Sequence, residues 1–152
     1  MSAEYQDLIK FSEQLKQLNE DLRGQFIEEC AKEIAARLLN KVIKRTPVGV
    51  YKDKKGKAKK QGGTLRRGWT NGQSATEFCQ QLNVSKRGNS YVIDIINPVE
   101  YASYVEFGHR TRNHSGWVKG HFMLTISENE IRSDMPNILE RKLRKKLNEV
   151  IP

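Results

Sequence analysis

The sequence predicts an α+β fold, with long N-terminal helices and C-terminal helices packed on a small antiparallel β-sheet. Three observations lead there. Apolar residues recur every three or four positions before Thr46 and again after His121. Between Thr76 and Ile96 the period falls to two. Clusters of glycine, proline and charge separate the two regimes. At 152 residues the chain suits a single domain over 1–152, because a second core would be starved of buried surface.

Tyr5, Leu8, Phe11, Leu15, Leu18 and Leu22 form one stripe at helical spacing, with Glu4, Glu13, Lys16 and Glu20 largely opposite. Phe26, Ile27, Cys30, Ile34, Leu38 and Val42 keep the period beyond Gly24, so two helices or one kinked helix are expected there. Thr46-Pro47 ends the pattern, since proline restricts the residue before it and donates no hydrogen bond. Residues 48–63 contain glycine at 49, 56, 62 and 63 and few apolar side chains. They read as a flexible, solvated loop that cannot bury enough surface to offset its ordering entropy.

Leu65 and Trp69 return the chain to the core. Phe78, Gln80, Leu82 and Val84 then read as one strand. A turn at Lys86-Arg87-Gly88-Asn89 leads into Tyr91, Val92, Ile93, Asp94, Ile95 and Ile96 as its better-buried partner, closed by Asn97-Pro98. Two strands are marginal alone, so a third is expected from 65–72, from 115–119, or from a neighbouring subunit. Residues 99–107 suit a short helix ended by Gly108, and the polar stretch HRTRNHSGWVKG suits a loop. Phe122, Met123, Leu124, Ile126 and Ile131 begin a further helical stretch. Pro136 fits the first turn of a last helix with Leu139, Leu143, Leu147 and Val150 on one side and Arg141, Lys142, Arg144, Lys145 and Lys146 on the other.

Several function classes fall away. No run approaches the roughly 18 to 20 apolar residues of a membrane helix, and MSAEYQDLIK lacks the regions of a signal peptide, so a cytosolic site of synthesis and no membrane partner are expected. Cys30 and Cys79 have no CxxC spacing and read as reduced, buried thiols. Glu106, His109, His114 and His121, near Arg110 and Arg112, fit no metal-ligand spacing, and the better reading pairs Glu106 with Arg110 or Arg112. Ser103, Ser115 and Ser127 lack a patterned base, and no GxSxG or phosphate-binding loop occurs. No catalytic, metal or cofactor site is expected, and the chain reads as a non-enzyme.

The charge is segregated. Between Lys44 and Arg67 stand ten basic residues and one acid, Asp53, an excess that equals the whole net charge of +9. Lys52, Lys54, Lys55, Lys57, Lys59, Lys60, Arg66 and Arg67 read either as a solvated excursion without a partner or as a contact to DNA or an acidic protein surface. On DNA they would neutralise phosphates without choosing a sequence, because no rigid helix presents them to base edges. A basic, non-sequence-specific DNA-binding protein using residues 44–67 is therefore the alternative reading.

Specific words in the sequence carry more. Lys44-Arg45-Thr46-Pro47-Val48, Gly63-Thr64-Leu65-Arg66-Arg67-Gly68-Trp69, and above all Tyr101-Ala102-Ser103-Tyr104-Val105-Glu106-Phe107-Gly108-His109-Arg110 resemble the tail-component family of tailed phages and prophages. Gly116-Trp117-Val118-Lys119-Gly120-His121-Phe122-Met123-Leu124 is similar to that family's next signature, in the right order. This chain departs from the family in a lysine-rich insertion of about a dozen residues between the first two words. The resemblance implies a virion structural protein of the neck or head-proximal tail end, serving in tail completion, tail termination or head-tail joining. It also implies a ring of identical copies, a hexamer, assembled in the host bacterial cytoplasm with other tail or neck proteins, and with genomic DNA passing through its channel as a candidate partner. Tyr101, Tyr104, Glu106, Phe107, His109, Arg110, Trp117 and Phe122 are the expected subunit-interface residues.

Overall fold

The computed structural model describes residues 3–60 and 62–150. The side chains of Tyr5, Leu8, Phe11, Leu15 and Leu18, on which the first stripe rests, lie outside the described residues. The chain opens with one unbroken helix, α1 (Ala3–Arg45), of 43 residues. At roughly 1.5 Å per residue it spans about 65 Å. Gly24 neither ends nor divides it, so of the two alternatives expected there the division into two helices is set aside. A glycine inside a helix costs only roughly 0.5–1 kcal/mol against alanine, less than the burial of Cys30, Ala35, Leu39 and Val42 just beyond it contributes.

Thr46-Pro47 ends α1 as the sequence predicts. The lysine-rich segment is a small exposed hairpin of β1 (Tyr51–Lys52) and β2 (Ala58–Lys60), paired Tyr51↔Lys60 and Lys52↔Ala58. Asp53 makes its turn: the carboxylate accepts from the backbone N–H groups of Lys55 at 2.8 Å and Lys57 at 2.9 Å, and Gly56 takes φ 78°. Next come α2 (Thr64–Gly68) and α3 (Ala75–Gln81).

The helix α3 overturns the strand expected over 78–84. Ser74 caps it, its hydroxyl accepting from the Glu77 N–H at 3.3 Å, and Ser74-Ala75-Thr76-Glu77 has the residue pattern of a capping box. Ala75 and Cys79 are buried and Phe78 and Leu82 half-buried, which is helical spacing, and α3 packs against α1. The predicted second strand shortens to β4 (Ser90–Val92), paired with β3 (Ser85–Arg87) around Gly88. Residues 93–99 continue without a ladder partner.

The short helix expected at 99–107 is α4 (Ala102–Phe107). It leads directly into β5 (Gly108–Arg110), which pairs with β6 (Trp117–Lys119). Of the places offered for a further strand, 115–119 supplies one, whereas 65–72 holds α2. The final element is one helix, α5 (Met123–Val150), with Pro136 inside it instead of in a first turn. Proline removes one helical hydrogen bond. Pro136 and Arg132, whose carbonyl loses its donor, are both exposed, while Ile131 and Ile138 are buried on either side and hold the helix on course. The expected apolar line of α5 leaves the core, since Leu143 and Leu147 are exposed.

The class is α+β, 58% helical. Among the described residues the strands form three separate two-stranded antiparallel ribbons instead of one sheet. Of these, β4 packs on α1 and β5 packs against α4, and the core itself lies along the second half of α1. Ala35, Ala36, Leu39 and Val42 meet Leu65, Trp69, Ala75, Cys79 and Met123 in the core, and Ile93, Ile95, Val99 and Val105 pack around it. Every described side chain from Gln6 to Arg23 is exposed. Among the described residues no helix is long and apolar enough to cross a membrane.

Candidate assembly surface

A buried polar hub fixes the framework behind the surface. Thr46 is fully buried at the end of α1; its hydroxyl donates to the Val42 carbonyl at 2.7 Å and accepts from the Trp69 indole N–H at 2.9 Å. The Arg66 guanidinium donates to the Thr46 carbonyl through Nε at 3.2 Å and Nη2 at 2.7 Å. Asn97 performs the next join, donating to the Leu65 carbonyl at 2.9 Å and accepting from the Val99 N–H at 3.1 Å. Gly68 is required there, because a Cβ would lie 2.4 Å from the Asn97 side-chain oxygen. Arg66, read as a candidate DNA contact, is thus engaged within the fold.

The 101–124 stretch is built around Glu106, only 5% exposed. Its carboxylate accepts from the N–H groups of Leu124 at 2.8 Å and Thr125 at 2.9 Å and from the Thr125 hydroxyl at 2.7 Å. These are first-turn N–H groups of α5 that lack helical acceptors, and the anion also complements the helix dipole. Glu106 therefore caps a helix, and the ion pair expected with Arg110 or Arg112 is replaced by this contact. The His121 N–H donates to the Val105 carbonyl at 2.8 Å and the Phe122 N–H to the Glu106 carbonyl at 3.0 Å, which clamps α4 to the start of α5. The approach is close enough to demand glycine: a Cβ on Gly120 would stand 2.3 Å from the Glu106 carbonyl oxygen, and one on Gly108 2.4 Å from that of Val118.

Large apolar groups face solvent around this clamp. Tyr104 (59%), Phe107 (61%) and Trp117 (62%) are the most exposed aromatics among the expected interface residues, and Tyr101 is also exposed. The Tyr104 and His109 rings lie 5.7 Å apart, Phe107 meets the half-buried Phe122 edge-on at 6.5 Å, and Arg110 faces Trp117 across β5 and β6. His109 is half-buried, and its Nδ1 has no hydrogen-bond partner among the described residues. Ile96, 72% exposed, and Val118 belong to the same exposed apolar class and were not singled out by the sequence. Alternation at Asp94-Ile95-Ile96 was the available signal for Ile96. A cavity of about 260 Å³ joins Ile96 to Phe107, over Ala102 and Met123.

Ion pairs fix α1 to α5 behind the surface. Glu130 takes Lys41 at 2.9 Å and also pairs with Arg45, whose other nitrogen donates to the buried Ser127 hydroxyl at 3.0 Å. Glu33 pairs with Lys142 and, at 3.0 Å, with Arg37. The hydrogen bond from Lys142 holds the Glu33 carboxyl below its ordinary range, and those from Lys41 and Arg45 do the same for Glu130. Burial pushes both thiols, Cys30 and Cys79, upward, and both are free.

Compared with known families, residues 9–108 match the one described as "Bacteriophage HK97-gp10, putative tail-component", which is 100 of the 152 positions. The chain belongs to this family. No curated protein and no solved structure matches it. As a member of the HK97-gp10-like tail-component family, the protein is structural, is part of the virion, and works against other tail proteins. The family match ends at Gly108, so it takes in the Thr46 hub, Glu106 and Phe107, while Trp117 and Phe122 lie beyond it.

The remaining candidate residues of this tail component do not converge. Lys52, Lys54, Lys55, Lys57 and Lys60 are exposed along the β1–β2 hairpin; the Lys59 side chain lies outside the described residues. Lys60 sits 5.8 Å from the Tyr51 ring centre, and Arg67 donates to the Gly62 carbonyl at 3.2 Å. His114 and His121 are exposed, and among the described residues no three His, Cys, Asp or Glu side chains come together as a metal site would require.

Proposed function

We propose that the protein completes the tail at its head-proximal end, as a tail-completion, tail-terminator or head-tail joining component, and that it acts as one non-catalytic domain assembled into a ring of identical copies. The observation that carries this reading is the group Tyr104, Phe107 and Trp117, each more than half exposed on a backbone fixed by the Glu106 cap and two close glycine contacts. Large aromatics held out from a rigid support are what association surfaces use, because their area is gained at little conformational cost. Many copies joined in a closed ring multiply modest contacts. The experiment is electron microscopy of lysates from a phage lacking this product. Filled heads and tails that fail to join are expected, whereas intact, infectious tailed particles would contradict the reading.

A second reading rests on Lys52, Lys54, Lys55, Lys57 and Lys60 of the hairpin, for which no ion pair is seen among the described residues. On it, the protein holds duplex DNA without sequence choice. About six engaged lysines would give a log–log salt slope near −5. Replacing Lys54, Lys55 and Lys57 by glutamate should abolish DNA retention on this reading and leave ring formation unchanged on the first. Lysines lining a channel for the genome would combine the two.

A further inference from the structure

We infer that the open backbone edge at residues 93–96 receives the β6 edge of a neighbouring copy, joining the separate ribbons of successive subunits into a shared sheet. The inference rests on the ring reading above and names the contact that closes it.

Two of the chain's open edges complement each other. After β4, residues 93–96 run on without a ladder partner, and among the described residues none of their backbone N–H or C=O groups makes a backbone hydrogen bond. The segment alternates as a strand should: Ile93 and Ile95 are half-buried, whereas Asp94 and Ile96 are exposed. Such an edge is a template for another strand. The second edge belongs to β6, which pairs only with β5 and is exposed at Trp117, Val118 and Lys119.

The two edges match in one antiparallel register. Setting Ile95 opposite Val118 puts Asp94 against Lys119 and Ile96 against Trp117. Opposite charges then meet, and two large, exposed apolar groups cover each other on the same face, where cross-strand pairs interact. A register shifted by one residue would set either Asp94 or Ile96 opposite Val118 and lose both matches. Because donor and acceptor edges are different surfaces, the contact is head-to-tail, the kind that closes into a ring.

The test uses the full chain with single cysteines at the neighbouring cross-strand pair, Asp94→Cys and Lys119→Cys, which leaves Ile96 and Trp117 in place. Cys30 and Cys79 are buried and do not compete. Mixed and oxidised, the two variants should give a covalent dimer on a non-reducing gel that neither gives alone, and a chain carrying both should give a ladder of multimers. Three results would overturn the proposal: no mixed dimer, a dimer from Asp94→Cys alone, or closure of the double variant within one chain.

A charge exchange supplies an independent readout that leaves the aromatic in place. Asp94→Lys or Lys119→Glu alone should weaken self-association several-fold, and the two together in every subunit should restore it. Unchanged sedimentation of both single variants would also refute the contact. Failure of the ring reading shows separately, in the unmodified protein: if it self-associates while the cysteine mixture stays uncrosslinked, only the edge-to-edge contact is lost.

Discussion

At the residue scale, buried polar groups decide what this sequence tolerates. Thr46 takes the Trp69 indole proton deep in the core. Thr46→Val keeps the shape but leaves that donor without a partner, a loss of about 1–3 kcal/mol. Chemical denaturation should show it, with Thr46→Ser retaining most of the stability. Glu106 separates two accounts by magnitude. As a cap on two N–H groups of α5, its replacement by alanine should cost about 1–2 kcal/mol. A surface ion pair with Arg110 or Arg112 would contribute only about 0–1 kcal/mol. Thermal melts of Glu106→Ala and Arg110→Ala decide between them: the first should be clearly destabilised and the second barely changed. The sequence made Glu106 conspicuous without revealing this use, because its partners are backbone groups eighteen and nineteen positions away.

At the element scale, the legible features were those written in local chemistry. The end of α1 at Thr46-Pro47, the return to the core at Leu65 and Trp69, and α4 before Gly108 stand where the sequence puts them. Three others were decided by packing. Gly24 and Pro136 are ordinary breakers, yet both lie inside continuous helices because neighbouring side chains are buried against other elements. At 75–82 two periods compete: Phe78, Gln80, Leu82 and Val84 suggest a strand, while Ala75, Phe78, Cys79 and Leu82 make a helical face. The pattern Ser74-x-x-Glu77 would have settled it, since a cap signal outranks four alternating residues.

The contact between α1 and α5 makes its own prediction at this scale. Hydrogen bonds from Lys142 to Glu33, and from Lys41 and Arg45 to Glu130, lower both carboxyls in the folded state relative to the unfolded chain. A depressed carboxyl contributes its stability fully above the unfolded value, about 4.3. It loses that contribution as pH falls through the folded value. Melting temperature should therefore drop below about pH 4.3, and Glu33→Gln should be less stable near neutrality with a shallower acid decline. Parallel declines in the two proteins would contradict this use of Glu33.

At the scale of the whole molecule, the framework, the surface and the charge are carried by different elements. The Thr46 hub and the Glu106 cap hold α1, α2, α4 and α5 together, and exposed aromatics stand on that support. The lysines stand on their own hairpin, whose Tyr51 and Lys60 line a cavity with Tyr101. The aromatic words of the 101–124 stretch could be read from sequence as a surface of interest. Val118 could not be ranked with them, because only the three-dimensional arrangement leaves it exposed.

Self-assembly through that aromatic surface is the central claim, and sedimentation velocity of the purified full chain beside Trp117→Ala tests it most directly. The unmodified protein is expected to sediment as a closed oligomer, and the variant as smaller species with the same far-ultraviolet helical signal. An unmodified protein that stays monomeric at every concentration, or a variant that sediments identically to it, would contradict the claim.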